Sequence, residues 1–388
     1  MNETHFILYT KIVLFSLVAM AIAFCAGLYI YDPLQVWHKP VLFPRTYLNG
    51  NMREAAAGII NNHDFDSIIM GNSYSENTSA KEATELFGGK FFNLSLSGSN
   101  LFERNIVIQY FLSRKKAKII LSQADAFSGR TGHQGFPVEQ YKKLYDANPI
   151  NDLTIYLNQR YMQCLTKFSS DGVCVGRETD FDRPNKWYDV PSQASRFGGI
   201  EQWIRHRDDE QLAGLIAEFP KILATPPVSD TSPEKNLAYI DMEDIKNNIS
   251  DFIVTPAKAN PQTLFLFFDP PVATLSRSFS LRSQAFSLYR YSLVQIIEQT
   301  EGISNIKMFG FANESLTDDI AYYKDSGHYN SDVNSLIMHK MADGQNVLNK
   351  GNIEEYLRDV EHKARTWPLV EFVARFDENE ARNKEHKE

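Results

Sequence analysis

Short apolar runs alternating with helix-length segments predict an α/β fold, a three-layer αβα sandwich around a central, mostly parallel five-stranded sheet. Three observations carry that expectation. Five apolar runs read as buried strands, segments of helical length stand between them, and one uncharged stretch near the N-terminus has the length of a bilayer crossing. The chain has 388 residues, 43% of them hydrophobic and 23% charged. That composition is globular and excludes collagen-like, low-complexity and wholly disordered classes. A net charge of −8 argues against a broad basic face, so no nucleic-acid partner is expected.

The elements follow in order. After a short N-terminal segment (1–11), residues 12–31 read IVLFSLVAMAIAFCAGLYIY, twenty positions without a charge. At 1.5 Å per residue they reach about 30 Å, the hydrocarbon thickness of a bilayer. The apolar part of a cleaved signal is shorter, about 7–15 residues, so the segment reads as a retained transmembrane anchor. Lys11 precedes it while Lys39 and Arg45 follow it, so the charge rule leaves the membrane side open. Residues 32–60 form a linker punctuated by Pro33, Pro40 and Pro44, with Trp37 and Tyr47 suited to a membrane interface.

The first part of the α/β domain spans 61–128. Strands are expected at 66–71, 90–96 and 118–122, with helices at 76–87 and 102–113. Residues 129–240 break the alternation and read as an insertion or cap, holding a helix over 200–219 that Pro220 stops. The second part, 241–349, has a helix at 242–254, strands at 263–268 and 305–311, a helix at 282–300 and a closing helix at 332–348. Residues 350–388 form a charged C-terminal tail with an apolar patch at 367–376. Cys164 and Cys174 lie ten positions apart. They would form a disulfide in an oxidising compartment and remain thiols in the cytosol.

In an α/β sheet, ligands bind beyond the carboxyl ends of the strands. Gly71-Asn72-Ser73 follows the first strand, Ser97-Gly98-Ser99-Asn100 the second, Gln123-Ala124-Asp125 the third and Asp269-Pro270-Pro271 the fourth. Beyond the fifth comes Lys324-Asp325-Ser326-Gly327-His328-Tyr329. A serine at a strand-to-helix turn exposes its hydroxyl, and a histidine oriented by an aspartate can take its proton. That assigns Ser73 as nucleophile, with His328 as base and Asp325 as its orienting partner. Gly98 would donate a backbone N–H to an oxyanion, with a side-chain donor sought in Asn100 or Asn77. Asp125 reads as a turn cap or a second acid, and Arg277 and Arg282 as solvated helix-start residues or anion binders. Neither a phosphate-cradling glycine loop nor a metal-ligand cluster is present in the sequence, so no cofactor and no metal are expected.

The order of these blocks resembles the SGNH (GDSL-type) hydrolase and acyltransferase superfamily, over roughly 66–128 and 263–348. Within it the run Ile69-Met-Gly-Asn-Ser-Tyr-Ser-Glu-Asn77, the Tyr-Lys-Asp-x-x-His-Tyr run ending at Tyr329 and the anchor are similar to membrane-anchored envelope proteins. These are the DltD-like proteins of teichoic-acid D-alanylation and the proteins of alginate O-acetylation. The sequence departs from the superfamily at Asn72, where aspartate is usual, and in the third block, where Gln123 and Asp125 stand in place of an asparagine. The resemblance implies a serine O-acyltransferase acting on an envelope polysaccharide or glycan acceptor. It also implies a multipass membrane acyltransferase partner and a single-pass place in a bacterial inner membrane, with the catalytic domain facing the periplasm. A serine esterase and a non-catalytic glycan-binding scaffold are the alternatives.

Overall fold

The computed structural model describes residues 3–44, 46, 52–125, 135–176 and 182–385; Tyr47 lies outside them. The chain divides into two compact units, residues 1–64 with 137–180, and residues 65–136 with 181–388. The segment expected as a single insertion is therefore divided between both.

In the first unit, helix α1 (Glu3–Tyr31) is exposed along nearly all its length. By length and composition its segment His5–Tyr31 can cross a membrane, and the most apolar 18-residue stretch within it is only 6% buried. Residues 32–44 of the expected linker are held by side-chain contacts. The carboxylate of Asp32 accepts the backbone N–H groups of Val36, Trp37 and His38, at 3.0, 2.8 and 3.0 Å, and the Tyr156 hydroxyl at 2.5 Å. A second helix, α2 (Met52–Asn62), follows, its alanine-rich run buried. Cys164 and Cys174 form a disulfide with Cα atoms 5.6 Å apart.

The second unit holds the sheet. Its strands are β1 (Ser67–Met70), β2 (Phe91–Asn93), β3 (Ile119–Gln123), β4 (Leu264–Asp269), β5 (Ile306–Gly310) and β6 (Val347–Leu348). The spatial order is β2-β1-β3-β4-β5-β6. The first five strands pair in parallel and β6 pairs antiparallel with β5. Ile69, Leu121, Leu266, Phe268 and Phe309 share one buried cluster with Val333, Ile337 and Met341 from helix Ser331–Ala342 and with Trp203 and Phe372. Ile68, Ile120, Phe265 and Phe267, which alternate with them, are buried as well, so the strands are covered on both faces, as parallel strands require. Helix α3 (Ala80–Phe87) starts on its Ser79 N-cap, and α4 (Leu101–Arg114) on a capping box between Asn100 and Glu103.

Several expectations are corrected. The sheet is mixed and six-stranded; β6 is two residues long, too short to register as a periodic run, and it occupies the end of the expected closing helix. The helix expected over 200–219 is two helices, Ile200–Arg205 and Glu210–Ala224, because Asp209 caps the second. Pro220 lies inside that second helix, not at its end. The C-terminal segment forms helices Ile353–Thr366 and Leu369–Glu385, whose buried Leu357, Val360, Phe372 and Phe376 pack in the interior.

Candidate active site

The parallel sheet reverses its winding between β1 and β3, and a crevice at the carboxyl ends of those strands is where such folds bind ligands. Residues 71–78 leave β1 at that point. A Cβ on Gly71 would come within 2.2 Å of the Ser75 hydroxyl oxygen, so the tight exit from the strand requires glycine. The side chain of Asn72 accepts the Tyr74 N–H at 3.0 Å, and its carbonyl accepts the Ser75 N–H at 3.0 Å. This Asx turn explains why asparagine serves here: the side-chain oxygen is used locally. Asn93 at the end of β2 donates to the carbonyls of Ser75 and Thr78, both at 2.8 Å. Asn334 donates to the Tyr74 carbonyl at 2.8 Å. The loop carrying Ser73 is thus fastened from several segments.

The Asp325–His328 segment is a tight turn. Its flanks are joined by an antiparallel bridge between Tyr323 and Tyr329, and the Lys324 N–H donates to the His328 carbonyl at 3.0 Å. Asp325 Oδ1 accepts the backbone N–H groups of Gly327 and His328, at 3.0 and 2.9 Å. The same carboxylate lies 2.9 Å from His328 Nδ1, and His328 Nε2 lies 2.7 Å from Ser73 Oγ. With Nδ1–H donating to the carboxylate, Nε2 is left as an acceptor for the serine O–H. Burial would raise the Asp325 carboxyl, but hydrogen bonds from the His328 ring, its charge and the two backbone N–H groups bring it down to about 2. The three expected residues are therefore brought together in one relay.

The walls come from residues that the sequence did not single out. Trp187 Nε1–H donates to the Ser73 carbonyl at 2.8 Å, and the indole meets the His328 ring edge-on at 5.6 Å between centroids. Asn77, weighed as an oxyanion donor, uses its side-chain oxygen to accept the N–H groups of Trp187 and Tyr188, both at 3.1 Å, and its buried Nδ2 has no hydrogen-bond partner. Tyr74 packs its ring 5.0 Å from His328, and burial followed by the Asp325 charge raises its hydroxyl to about 12. Lys324 Nζ sits 4.2 Å from the Trp187 ring centroid and donates to the side-chain oxygens of Gln193 and Gln211, at 2.6 and 3.2 Å. Burial lowers the Lys324 ammonium to about 8, against the opposing pull of Asp325. Only the aromatic density of 181–191 could have hinted at this wall.

The remaining candidates fall as follows. Gly98 sits in an exposed turn with a left-handed φ of 62°. Among the described residues neither its N–H nor that of Ser73 donates a hydrogen bond. Asn100 is the N-cap of α4, its side-chain oxygen accepting the Glu103 N–H at 3.0 Å. Gln123 is buried at the end of β3 with its side-chain oxygen unpartnered. Asp125 pairs with the buried guanidinium of Arg104. Arg277 is buried against Asp269 at 3.4 Å and over the Tyr289 ring, and Arg282 donates to the Ile222 carbonyl at 3.0 Å. Neither is a solvated helix-start residue. Among the described residues no group of three His, Cys, Asp or Glu side chains is gathered as a metal site.

Comparison of the chain with protein-family models, with curated proteins and with solved structures finds no match.

Proposed function

We propose that this chain is a membrane-anchored, SGNH-like serine O-acyltransferase that acylates a cell-envelope glycan through an acyl-Ser73 intermediate. One observation carries the reading: the Ser73–His328–Asp325 relay, continuous at 2.7 and 2.9 Å. Ser73 Oγ attacks the carbonyl carbon of an acyl donor while its proton passes to His328 Nε2. The imidazolium is stabilised by Asp325, and the N–H groups of Ser73 and Gly98 are the candidate donors to the oxyanion. The leaving group departs with the proton from His328. In the second half a glycan hydroxyl gives its proton to His328, bonds to the acyl carbon, and Ser73 Oγ leaves and is reprotonated.

The Cys164–Cys174 disulfide and the apolar helix α1 support a bacterial inner-membrane protein with this domain on the oxidising, periplasmic side. A multipass membrane acyltransferase supplying the acyl group is the partner that the sequence resemblance implies. One observation favours a second reading, a serine esterase: the His328 side chain keeps 19% of its surface exposed, so water can reach the acyl-enzyme. The test is to treat the full chain in detergent micelles with a fluorophosphonate and with an activated acetyl ester, and to map adducts by mass spectrometry. An adduct on Ser73 that is lost in Ser73→Ala and slowed in His328→Ala is expected. A folded chain with no adduct on Ser73 would turn the assignment to a non-catalytic glycan binder.

A further inference from the structure

We propose that the unit formed by residues 1–64 and 137–180 carries a second membrane-contact surface, a collar around the end of α1 that seats in the lipid headgroup layer. The inference rests on reading α1 as a membrane anchor. The uncharged run of that helix covers residues 12–31, about 30 Å at 1.5 Å each, the hydrocarbon thickness. Its last turn therefore stands at the hydrocarbon boundary.

The last turns are not bare. Phe24, Gly27, Leu28 and Tyr31 form the stripe of α1 that is partly or wholly buried, spaced as one helical face. Helix Gln159–Lys167 covers it: Leu165 Cδ1 would touch a Cβ on Gly27 at 3.5 Å. Gly27 lies four residues before the helix end, about 6 Å along the axis. Leu165 of the covering helix thus lies beside the last turn of the apolar segment, not past its end.

The outer surface around this contact carries exposed apolar side chains, with Asp171 and Arg160 near the Tyr31 hydroxyl. Tyr31 has its ring flanked by Phe43 and Phe168, with centroids 6.0 and 5.8 Å away. Phe168 is 52% exposed and Val41, two residues from Phe43, is 71% exposed. Val173, beside the disulfide, is 71% exposed. Tyr29 and Trp37 stack at 5.8 Å at the same end of α1; Lys39, two residues after Trp37, and Lys167, next to Phe168, are exposed. Aromatic rings, branched apolar side chains and lysines together match the headgroup layer, where rings sit at the boundary and ammonium groups meet anionic lipids. Continuity with a lipid-sheathed helix selects lipid as the occupant over a protein partner.

The test uses the full chain with Cys25→Ala, so that single cysteines at Leu14→Cys, Val41→Cys and Phe168→Cys can carry a nitroxide. Each is reconstituted in vesicles of phosphatidylethanolamine and phosphatidylglycerol, and collision with oxygen is compared with collision with a water-soluble nickel chelate. Oxygen should dominate at all three positions, most strongly at 14. Oxygen at 14 with the chelate dominating at both 41 and 168 would overturn the collar and leave the anchor standing. The chelate dominating at all three would overturn both.

Discussion

The indole N–H of Trp187 donates to the backbone carbonyl of Ser73 at 2.8 Å, across 114 residues of sequence. The bond fixes the peptide that carries the nucleophile. Because the indole also meets the imidazole of His328, one side chain sets the position of both reacting groups.

Trp187→Phe keeps the ring and removes the donor. A hydrogen bond of this kind contributes about 1 kcal/mol net, so kcat on an activated ester should fall roughly five- to tenfold with KM nearly unchanged. Trp187→Ala, which also removes the wall, should cost more. A Trp187→Phe variant with undiminished kcat would show that the indole N–H has no positioning role.

Asp325→Asn should lower turnover by about 10⁴-fold while leaving fluorophosphonate-accessible Ser73 in a folded protein, because the amide no longer holds the imidazole in the required tautomer. The carboxyl also carries a pH signature. Its folded pKa of about 2 lies below the unfolded value near 3.9, so its stabilisation is complete above pH ~4 and is lost as pH falls toward 2. Wild type should lose about 2 kcal/mol more than Asp325→Asn across that window in denaturant melts.

Lys324, lowered to about 8 by burial, should lose its charge at mildly alkaline pH and with it the contact to the Trp187 ring. For stability the sign is opposite to that of the aspartate: a lysine depressed in the fold costs stability while charged, and the cost is relieved as pH rises above about 8. For activity, the pH profile should turn down near pH 8, and Lys324→Arg, which stays charged, should lack that limb. An alkaline limb identical in both proteins would remove Lys324 from the account.

The Cys164–Cys174 bridge closes a loop with a sequence separation of 10. Cys164→Ser with Cys174→Ser should lower the unfolding free energy by about 2–3 kcal/mol. A thiol titration of the unreduced wild type, unfolded, should find one free thiol, that of Cys25.

The sheet was legible because each strand is a continuous apolar run, and buried parallel strands have little else to show. The triad was legible for a different reason: Ser73 and His328 each sit in a short run of their own at a strand end. Trp187 was not, since its partners are backbone groups that any sequence supplies. The capping role of Asn100 was legible in Glu103, three residues on. β6 escaped because two residues carry no period, and the tail helices because their charge balance hid a buried face.

The packed stripe Phe24–Gly27–Leu28–Tyr31 has one more effect. A lone apolar helix is free to spin about its own axis, but this one is keyed along that stripe, so its azimuth is set by the protein. The face carrying Cys25, Ala26, Tyr29 and Ile30 is the one left open. A helix packing against these last two turns meets that face, in one rotational setting.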